Sequence, residues 1–277
     1  MAGLRRTRSG PRRGASRTGM DYLVWGSGPR TMLFLPGGPG SSVGGRLFTW
    51  SRGRFFAPYV EAGYAVWLVT RRRGMPLTHT LAGIADDHAA FIREEIGGRV
   101  DLVVAESFGG MVAQHLAATH PDVLGGLVLV ATGCRVTQET RDVDDRLVAA
   151  LRAGDRSGAG AAFAGYVVPG PRLAALRRLL GPLVAALLLS GRHFPVQDVL
   201  VEVDAERRCD TRALLPLVRV PTLLVAGDRD RFFSRPVVEE TARLLGAELV
   251  LRPGKGHAAV CTSRETARLA LDLAGHG

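Results

Sequence analysis

The chain has 277 residues, of which 46% are apolar and 22% charged, a composition that fits one large globular domain with room for an inserted subdomain. Its three cysteines, Cys134, Cys209 and Cys261, are widely spaced and form no CxxC pair. This argues against a disulfide framework or a zinc site and suits a reducing, cytoplasmic compartment.

The formal net charge of +10 is concentrated at the N-terminus, because six arginines and no acidic residue lie in residues 1–19. Without those six charges the remainder carries about +4, an ordinary value for a domain of this size. We expect residues 1–19 to be a disordered basic tail. The folded domain is not expected to bind nucleic acid.

Short apolar runs that end at turn residues alternate with helical patterns along much of the chain. The runs are Met32–Leu35, Ala65–Val69, Leu102–Ala105, Leu127–Val130, Thr222–Ala226 and Glu248–Leu251, and helical spacing covers Leu81–Ile96 and Gly109–Thr119. Continuous apolar strands of this kind are typical of parallel sheets buried on both faces. The sequence therefore predicts an α/β fold with a mostly parallel central sheet flanked by helices.

Between residues 135 and 217 this alternation gives way to leucine- and alanine-rich helical stretches broken by glycine and proline. We expect a helical cap there, inserted between a first part of the core (20–134) and a second part (218–277). Its most apolar segment, Leu173–Ser190, contains two arginines and a Gly-Pro pair. The uninterrupted apolar run is too short for a membrane span, so none is expected.

Ser107 stands at the junction between a buried apolar strand and a helix, in the sequence A-E-S-F-G. A sharp strand-to-helix turn exposes a serine in a strained conformation, and it needs small residues two before and two after the serine. Ala105 and Gly109 occupy those positions. The pattern indicates a nucleophile elbow, although a serine that merely caps a helix would look similar.

A second element, Pro36-Gly37-Gly38-Pro39-Gly40, follows the first apolar run. Acyl transfer requires backbone N–H groups aimed at the developing oxyanion, and glycine allows the chain to approach a substrate closely. The N–H groups of Gly38 and Phe108 are the candidate donors, while a simple turn is the alternative.

A serine hydroxyl needs a general base, and the base needs a group that fixes its tautomer. The strand at 222–226 leads into a turn with Asp228 and Asp230, and the last strand leads into His257. The chain order serine, acid, histidine is the order used with a nucleophile elbow. Both aspartates are candidates for the acid on this ground.

Together the motifs P-G-G-P-G, A-E-S-F-G-G, G-D-R-D and G-K-G-H resemble the α/β-hydrolase superfamily over about residues 20–275. The resemblance implies the α/β-hydrolase fold, with Ser107 as nucleophile, His257 as base and Asp230, rather than Asp228, as the acid. It implies no cofactor and no metal. Two positions depart from the family: alanine replaces a glycine of the elbow, and Pro36 replaces a histidine that commonly opens the oxyanion loop.

The resemblance implies a serine hydrolase that cleaves a small, mainly apolar ester, lactone or related acyl substrate through an acyl-enzyme. A C–C bond hydrolase would use the same triad. A peptidase like the proline iminopeptidases is a further alternative, with Glu202, Asp204 and Glu206 as possible ligands of an amino terminus. A non-catalytic ligand-binding protein on the same fold is the alternative of another class, and the sequence carries no signal for oligomeric state.

The remaining polar clusters have plainer interpretations. Six histidines lack spaced partners and are expected to be structural or exposed: His79, His88, His115, His120, His193 and His276. Arg71, Arg72 and Arg73 follow a strand end and are predicted to form an exposed loop, with anion recognition as the alternative.

Overall fold

A computed structural model describes residues 10–166, 173–188, 195–261 and 263–275. These contain an eight-stranded sheet with the order β1-β2-β4-β3-β5-β6-β7-β8. The strands are Arg12–Ala15 (β1), Asp21–Trp25 (β2), Arg30–Leu35 (β3), Tyr64–Val69 (β4), Leu102–Glu106 (β5), Leu127–Val130 (β6), Thr222–Gly227 (β7) and Glu248–Arg252 (β8). The strands from β4 through β8 in this order pair in parallel, which confirms the predicted sheet, and β1 and β2 add an antiparallel edge.

Helices cover both faces of the sheet and divide its side chains between two cores. The helices are Arg46–Glu61 (α1), Leu81–Phe91 (α2), Phe108–Thr119 (α3), Gln138–Arg152 (α4), Arg156–Phe163 (α5), Ala174–Leu188 (α6), Val196–Arg207 (α7), Arg235–Leu245 (α8), His257–Cys261 (α9) and Arg264–Gly275 (α10). In β3, Leu33 and Leu35 pack with α2, α3 and α8, while Met32 and Phe34 pack with α1 and α10. Such alternation covers both faces of a central strand with helices.

The prediction of a disordered tail over residues 1–19 is wrong for its second half. Residues 12–15 form β1, which pairs antiparallel with β2, and the Arg13 guanidinium donates to the carbonyls of Val43 and Gly44 at 3.2 and 3.0 Å. Gly14 lies under the Tyr22 ring, in space that a Cβ atom would fill. The edge of β2 offers unpaired backbone groups, and these pair with a polar segment as well as with an apolar one. Residues 1–9 lie outside the described residues.

The helices α4 to α7 lie between β6 and β7, within the predicted insertion at 135–217, although the boundaries of core and cap stay a prediction. Glycines allow α5 and α6 to approach closely, since a Cβ on Gly160 would lie 2.1 Å from the Gly181 carbonyl oxygen. The cap is attached to the core through Asp198 of α7, whose carboxylate accepts the N–H groups of Gly74 and Met75 at 3.1 and 2.9 Å. Among the described residues, no helix combines the length and apolarity needed to cross a membrane.

Candidate active site

Ser107 sits in the turn between β5 and α3 with φ 51° and ψ −118°. A positive φ is unusual for a residue with a side chain, and such strain persists only where the surrounding structure enforces it. Here the Ser107 N–H donates to the Val130 carbonyl of β6 at 2.9 Å, while its own carbonyl accepts the N–H of Gly110 at 2.9 Å. The turn therefore projects the serine side chain beyond the carboxyl edge of the sheet.

Small residues around the serine are needed because the chain passes very close to β3. A Cβ on Gly109 would lie 2.4 Å from the Leu35 carbonyl oxygen and 2.8 Å from that of Pro36. A Cβ on Gly37 would lie 3.3 Å from the Ser107 Cβ. The elbow and the glycine loop after β3 are thus in direct contact, as the two predicted motifs require.

The loops after β7 and β8 also approach each other through a glycine. A Cβ on Gly227 would lie 2.2 Å from the Lys255 carbonyl oxygen, and that oxygen accepts the Arg229 N–H at 3.0 Å. This contact brings the loop that carries Asp230 beside the loop that carries His257.

A continuous chain of hydrogen bonds joins the three predicted catalytic side chains. The distance from Ser107 Oγ to His257 Nε2 is 3.0 Å, and His257 Nδ1 lies 2.8 Å from Asp230 Oδ2. When Nδ1–H donates to the carboxylate, Nε2 is left free to accept the serine hydroxyl. Asp228, in contrast, is exposed. The structure therefore brings together the three residues that the resemblance selected, and their catalytic roles stay a prediction.

Asp230 is buried and held by the backbone. Its Oδ1 accepts the N–H groups of Phe232 and Phe233 at 2.9 and 3.2 Å. The Phe233 ring stacks on the His257 imidazole with centroids 6.0 Å apart, and the Phe232 ring meets the imidazole edge at 5.2 Å. The turn that carries Asp230, Phe232 and Phe233 thus fixes the carboxylate and covers the histidine with apolar rings, which limits the access of water.

Glu106, the residue before Ser107, has its side chain on the face of the sheet that α1 covers. Its carboxylate is buried, and Arg52 of α1 lies 3.5 Å away. Burial raises the pKa of Glu106, and the positive charge of Arg52 opposes that rise. No motif in the sequence indicates a role for this residue.

The structure corrects the expectation for the three arginines after β4. Arg71 is buried, its Nε lies 2.7 Å from Glu202 of the cap, and its guanidinium donates to the carbonyls of Pro36 and Gly37 at 2.9 and 3.3 Å. The other two arginines are less buried and pair with aspartates at 3.7 Å. All three have acidic partners, which opposes anion recognition. The pairing of Arg71 was not predicted, and its only signal in the sequence is a charged residue two positions after a buried strand.

The other acidic residues of α7 differ sharply in their surroundings. Asp204 pairs with Arg208 at the surface, whereas Glu206 is buried beside Asp144. Burial raises the pKa of Glu206 well above its usual range, and the nearby Asp144 carboxylate raises it further. Neutral Glu206 is therefore favoured inside the protein.

Four of the remaining histidines lie in the described part of the chain. His79 and His120 are within 3.0 Å and 2.7 Å of aspartates, while His88 is fully buried, and burial lowers its pKa to about 3. His115 is partly buried, and burial also lowers its pKa. The predictions for His193 and His276 fall outside the described residues. Within the described part of the chain, no group of three or more His, Cys, Asp or Glu residues could hold a metal ion.

Known proteins resemble this chain in sequence and in fold. A pimeloyl-[acyl-carrier protein] methyl ester esterase of Neisseria meningitidis serogroup B is 32% identical over 185 residues, which cover 64% of this chain and 68% of the relative. The polyketide synthase ThaQ of Burkholderia thailandensis is 29% identical over 261 residues, which cover 88% of this chain but 12% of that protein. The enol-lactonase of Burkholderia xenovorans LB400 superposes with a TM-score of 0.69 at 17% identity, covering 92% of this chain and 95% of the lactonase.

The model of the alpha/beta hydrolase family matches residues 32–273, a span that runs from β3 to α10 and includes the whole hydrogen-bonded chain from Ser107 to Asp230. The sheet order, the strained serine turn and this match lead to one conclusion. The chain belongs to the α/β hydrolase family.

Proposed function

We propose that this protein is a serine hydrolase that cleaves a small, mainly apolar ester, lactone or related acyl substrate through an acyl-enzyme. The observation that carries the proposal is the hydrogen-bonded chain from Ser107 Oγ through His257 to Asp230, with distances of 3.0 and 2.8 Å. Hydrogen bonds of this length suit proton transfer from a serine to a histidine base.

In this mechanism Ser107 Oγ attacks the substrate carbonyl while His257 Nε2 accepts its proton. Asp230 stays ionised and stabilises the resulting imidazolium. His257 then protonates the leaving group, and water, activated by the same histidine, hydrolyses the acyl-enzyme. The N–H groups of Gly38 and Phe108 receive the oxyanion, and Phe108 begins α3, whose positive end favours negative charge there.

An ester or lactone is preferred to a peptide as substrate. The name of the Neisseria relative specifies a methyl ester esterase, and its identity to this chain is the highest of the comparisons above. The phenyl rings of Phe232 and Phe233 beside His257 favour an apolar group next to the scissile bond. The leucines of α6 add no such support, because Leu179 and Leu183 are 78% and 56% exposed.

The acidic side chains of α7 give the iminopeptidase alternative little support. An amino terminus would need an ionised carboxylate that is not already paired. Glu202 is engaged by Arg71, and Asp204 is paired with Arg208 at the surface. The raised pKa of Glu206 favours its neutral form.

Labelling with a fluorophosphonate probe tests the proposal without knowledge of the substrate, because the probe reacts only with an activated serine. We expect the wild-type protein to be labelled, Ser107→Ala and His257→Ala to remain unlabelled, and Ser51→Ala, which changes an exposed serine of α1, to react like wild type. A panel of p-nitrophenyl esters, lactones and aminoacyl p-nitroanilides then separates esterase from peptidase. Folded wild-type protein that resists the probe would contradict the proposal and favour a ligand-binding protein.

A further inference from the structure

A buried arginine supports the loop after β3 from a neighbouring strand. Arg71 follows β4, its side chain is 2% exposed, and two of its nitrogen atoms donate to the carbonyls of Pro36 and Gly37. Pro36 occupies the position at which the family resemblance leads one to expect a histidine that braces the loop. In this chain the bracing donors come from the guanidinium instead.

The hydrogen bond to the Gly37 carbonyl has a direct effect on the proposed oxyanion donor. That carbonyl and the Gly38 N–H belong to the same planar peptide group, and in a trans peptide they point in opposite directions. Holding the oxygen on Arg71 therefore directs the Gly38 N–H away from the guanidinium. A positive charge at the oxygen also polarises the peptide, which strengthens its N–H as a donor.

Arg71 also touches the second proposed donor residue. Its Cζ lies 4.6 Å from the centroid of the Phe108 ring, a cation–π geometry. On the other side, a Cβ on Gly38 would lie 2.4 Å from Nη2, so the guanidinium lies directly against that glycine. The arginine thus contacts both residues whose N–H groups are assigned to the oxyanion.

Glu202 completes the arrangement from the cap. One of its carboxylate oxygens lies 2.7 Å from Arg71 Nε, and the other accepts the N–H of Gly40 at the far end of the same loop. A buried ion pair is weak evidence for stability, because desolvation offsets much of the attraction. The Arg71–Glu202 pair contacts the loop at two points, and this argues instead that the pair sets the geometry of the loop. Because Glu202 belongs to α7, the loop geometry depends on where α7 packs on the core.

We propose that Arg71, oriented by Glu202, is a positioning residue that holds the Gly38 N–H and the Phe108 backbone in the positions from which they can donate to the oxyanion. This inference rests on the proposed serine hydrolase function and adds the group that sets its transition-state geometry. Arg71 acts through the loop and touches neither the substrate nor the reacting atoms. Its loss should therefore affect catalysis more than substrate binding.

The experiment compares wild type with Arg71→Met/Glu202→Gln, Arg71→Lys and Arg72→Met. Glutamine retains an acceptor for the Gly40 N–H, and the double change leaves no stranded buried charge. Lysine can pair with Glu202 but is a point charge that cannot hold both carbonyls. Arg72→Met is the matched control, because that neighbouring arginine is 42% exposed and pairs with Asp87.

For each protein, kcat and KM are measured with a p-nitrophenyl ester, together with the affinity for a boronic acid whose serine adduct places an oxygen in the oxyanion position. Active sites are counted with the fluorophosphonate probe. We expect the double variant to lose roughly 10- to 100-fold in kcat, with KM changed less than about threefold and boronate affinity reduced in parallel with kcat. Arg71→Lys should be intermediate and Arg72→Met unchanged.

If Arg71 had only a structural role, the double variant would have a lower melting temperature than wild type but the same kcat per labelled site. That result would overturn the proposal. If the double variant does not fold, Arg71→Lys decides: wild-type kcat and boronate affinity in that variant would also overturn it. Wild-type protein that neither reacts with the probe nor hydrolyses esters refutes the proposed function itself. Active wild type beside an equally active double variant refutes only the role of Arg71.

Discussion

Adding a single methyl group at Gly109 tests how tightly the serine turn packs against the loop after β3. A Cβ at this position would lie 2.4 Å from the Leu35 carbonyl oxygen, about 1 Å closer than an ordinary contact of roughly 3.4 Å. The obstructing atoms are backbone, which cannot rotate away as a side chain could. In Gly109→Ala either the loop after β3 or the serine turn must therefore move by about 1 Å, and a misplacement of that size costs on the order of 100-fold in catalytic rate.

Two other glycines make this a graded series. A Cβ on Gly37 would lie 3.3 Å from the Ser107 Cβ, a mild overlap, whereas a Cβ on Gly45 would meet nothing within 4 Å. We expect ester hydrolysis and the rate of fluorophosphonate labelling to fall in the order Gly45→Ala, Gly37→Ala, Gly109→Ala, with the first equal to wild type. Circular dichroism and melting temperature show that each variant is folded. Equal labelling rates for folded Gly109→Ala and Gly45→Ala would refute the argument that this packing controls the site.

Three further predictions concern buried titratable groups. Burial lowers the pKa of His88 from 6.5 to about 3, so below pH 6.5 the unfolded chain binds a proton that the folded chain does not. Between pH 6.5 and pH 4 the unfolding free energy of wild type, measured in urea, should therefore fall by about 1.4 kcal/mol per pH unit relative to His88→Leu. Parallel plots of unfolding free energy against pH for the two proteins would contradict this. Burial raises the pKa of Glu206, so above about pH 4.5 the unfolded chain releases a proton that the folded chain keeps, and wild type loses stability as the pH rises. Glu206→Gln lacks this proton, so its unfolding free energy should increase relative to wild type over that range. A difference between the two proteins that does not depend on pH would argue against this. Cys134 and Cys209 are buried, and burial raises the pKa of both thiols. Iodoacetamide at pH 8 should therefore modify these two cysteines only after unfolding, as mass spectrometry would show. Rapid modification of either one in the folded protein would be inconsistent with that burial.

Much of the central sheet was predictable, because its strands are buried on both faces and so appear as continuous apolar runs between turn residues. All six predicted runs coincide with strands of the sheet. The edge strand β1 was not predictable in this way. Its residues Arg12–Ala15 have no apolar pattern, and they form a strand because β2 offers them free backbone partners.

The candidate site also contains residues that the sequence predicted and residues that it did not. Ser107 and His257 each follow a strand in a recognisable turn, so local sequence was sufficient to select them. Local sequence left Asp228 and Asp230 both open, and only the family resemblance favoured Asp230. Arg71 and Glu202 are separated by more than a hundred residues and share no local motif. Their pairing depends on how the cap sits on the core, which no local pattern in a single sequence encodes.

The contact of β1 with β2 has a practical consequence for work with shortened proteins. A protein that starts at Met20 would lose β1, which is one of the two partners of β2, and would expose the backbone groups of β2 as the new edge strand. It would also lose the Arg13 bonds to the loop that precedes α1. Self-association of such a protein would therefore report an uncovered sheet edge, and removal of the arginine-rich segment for binding assays should stop before Gly10.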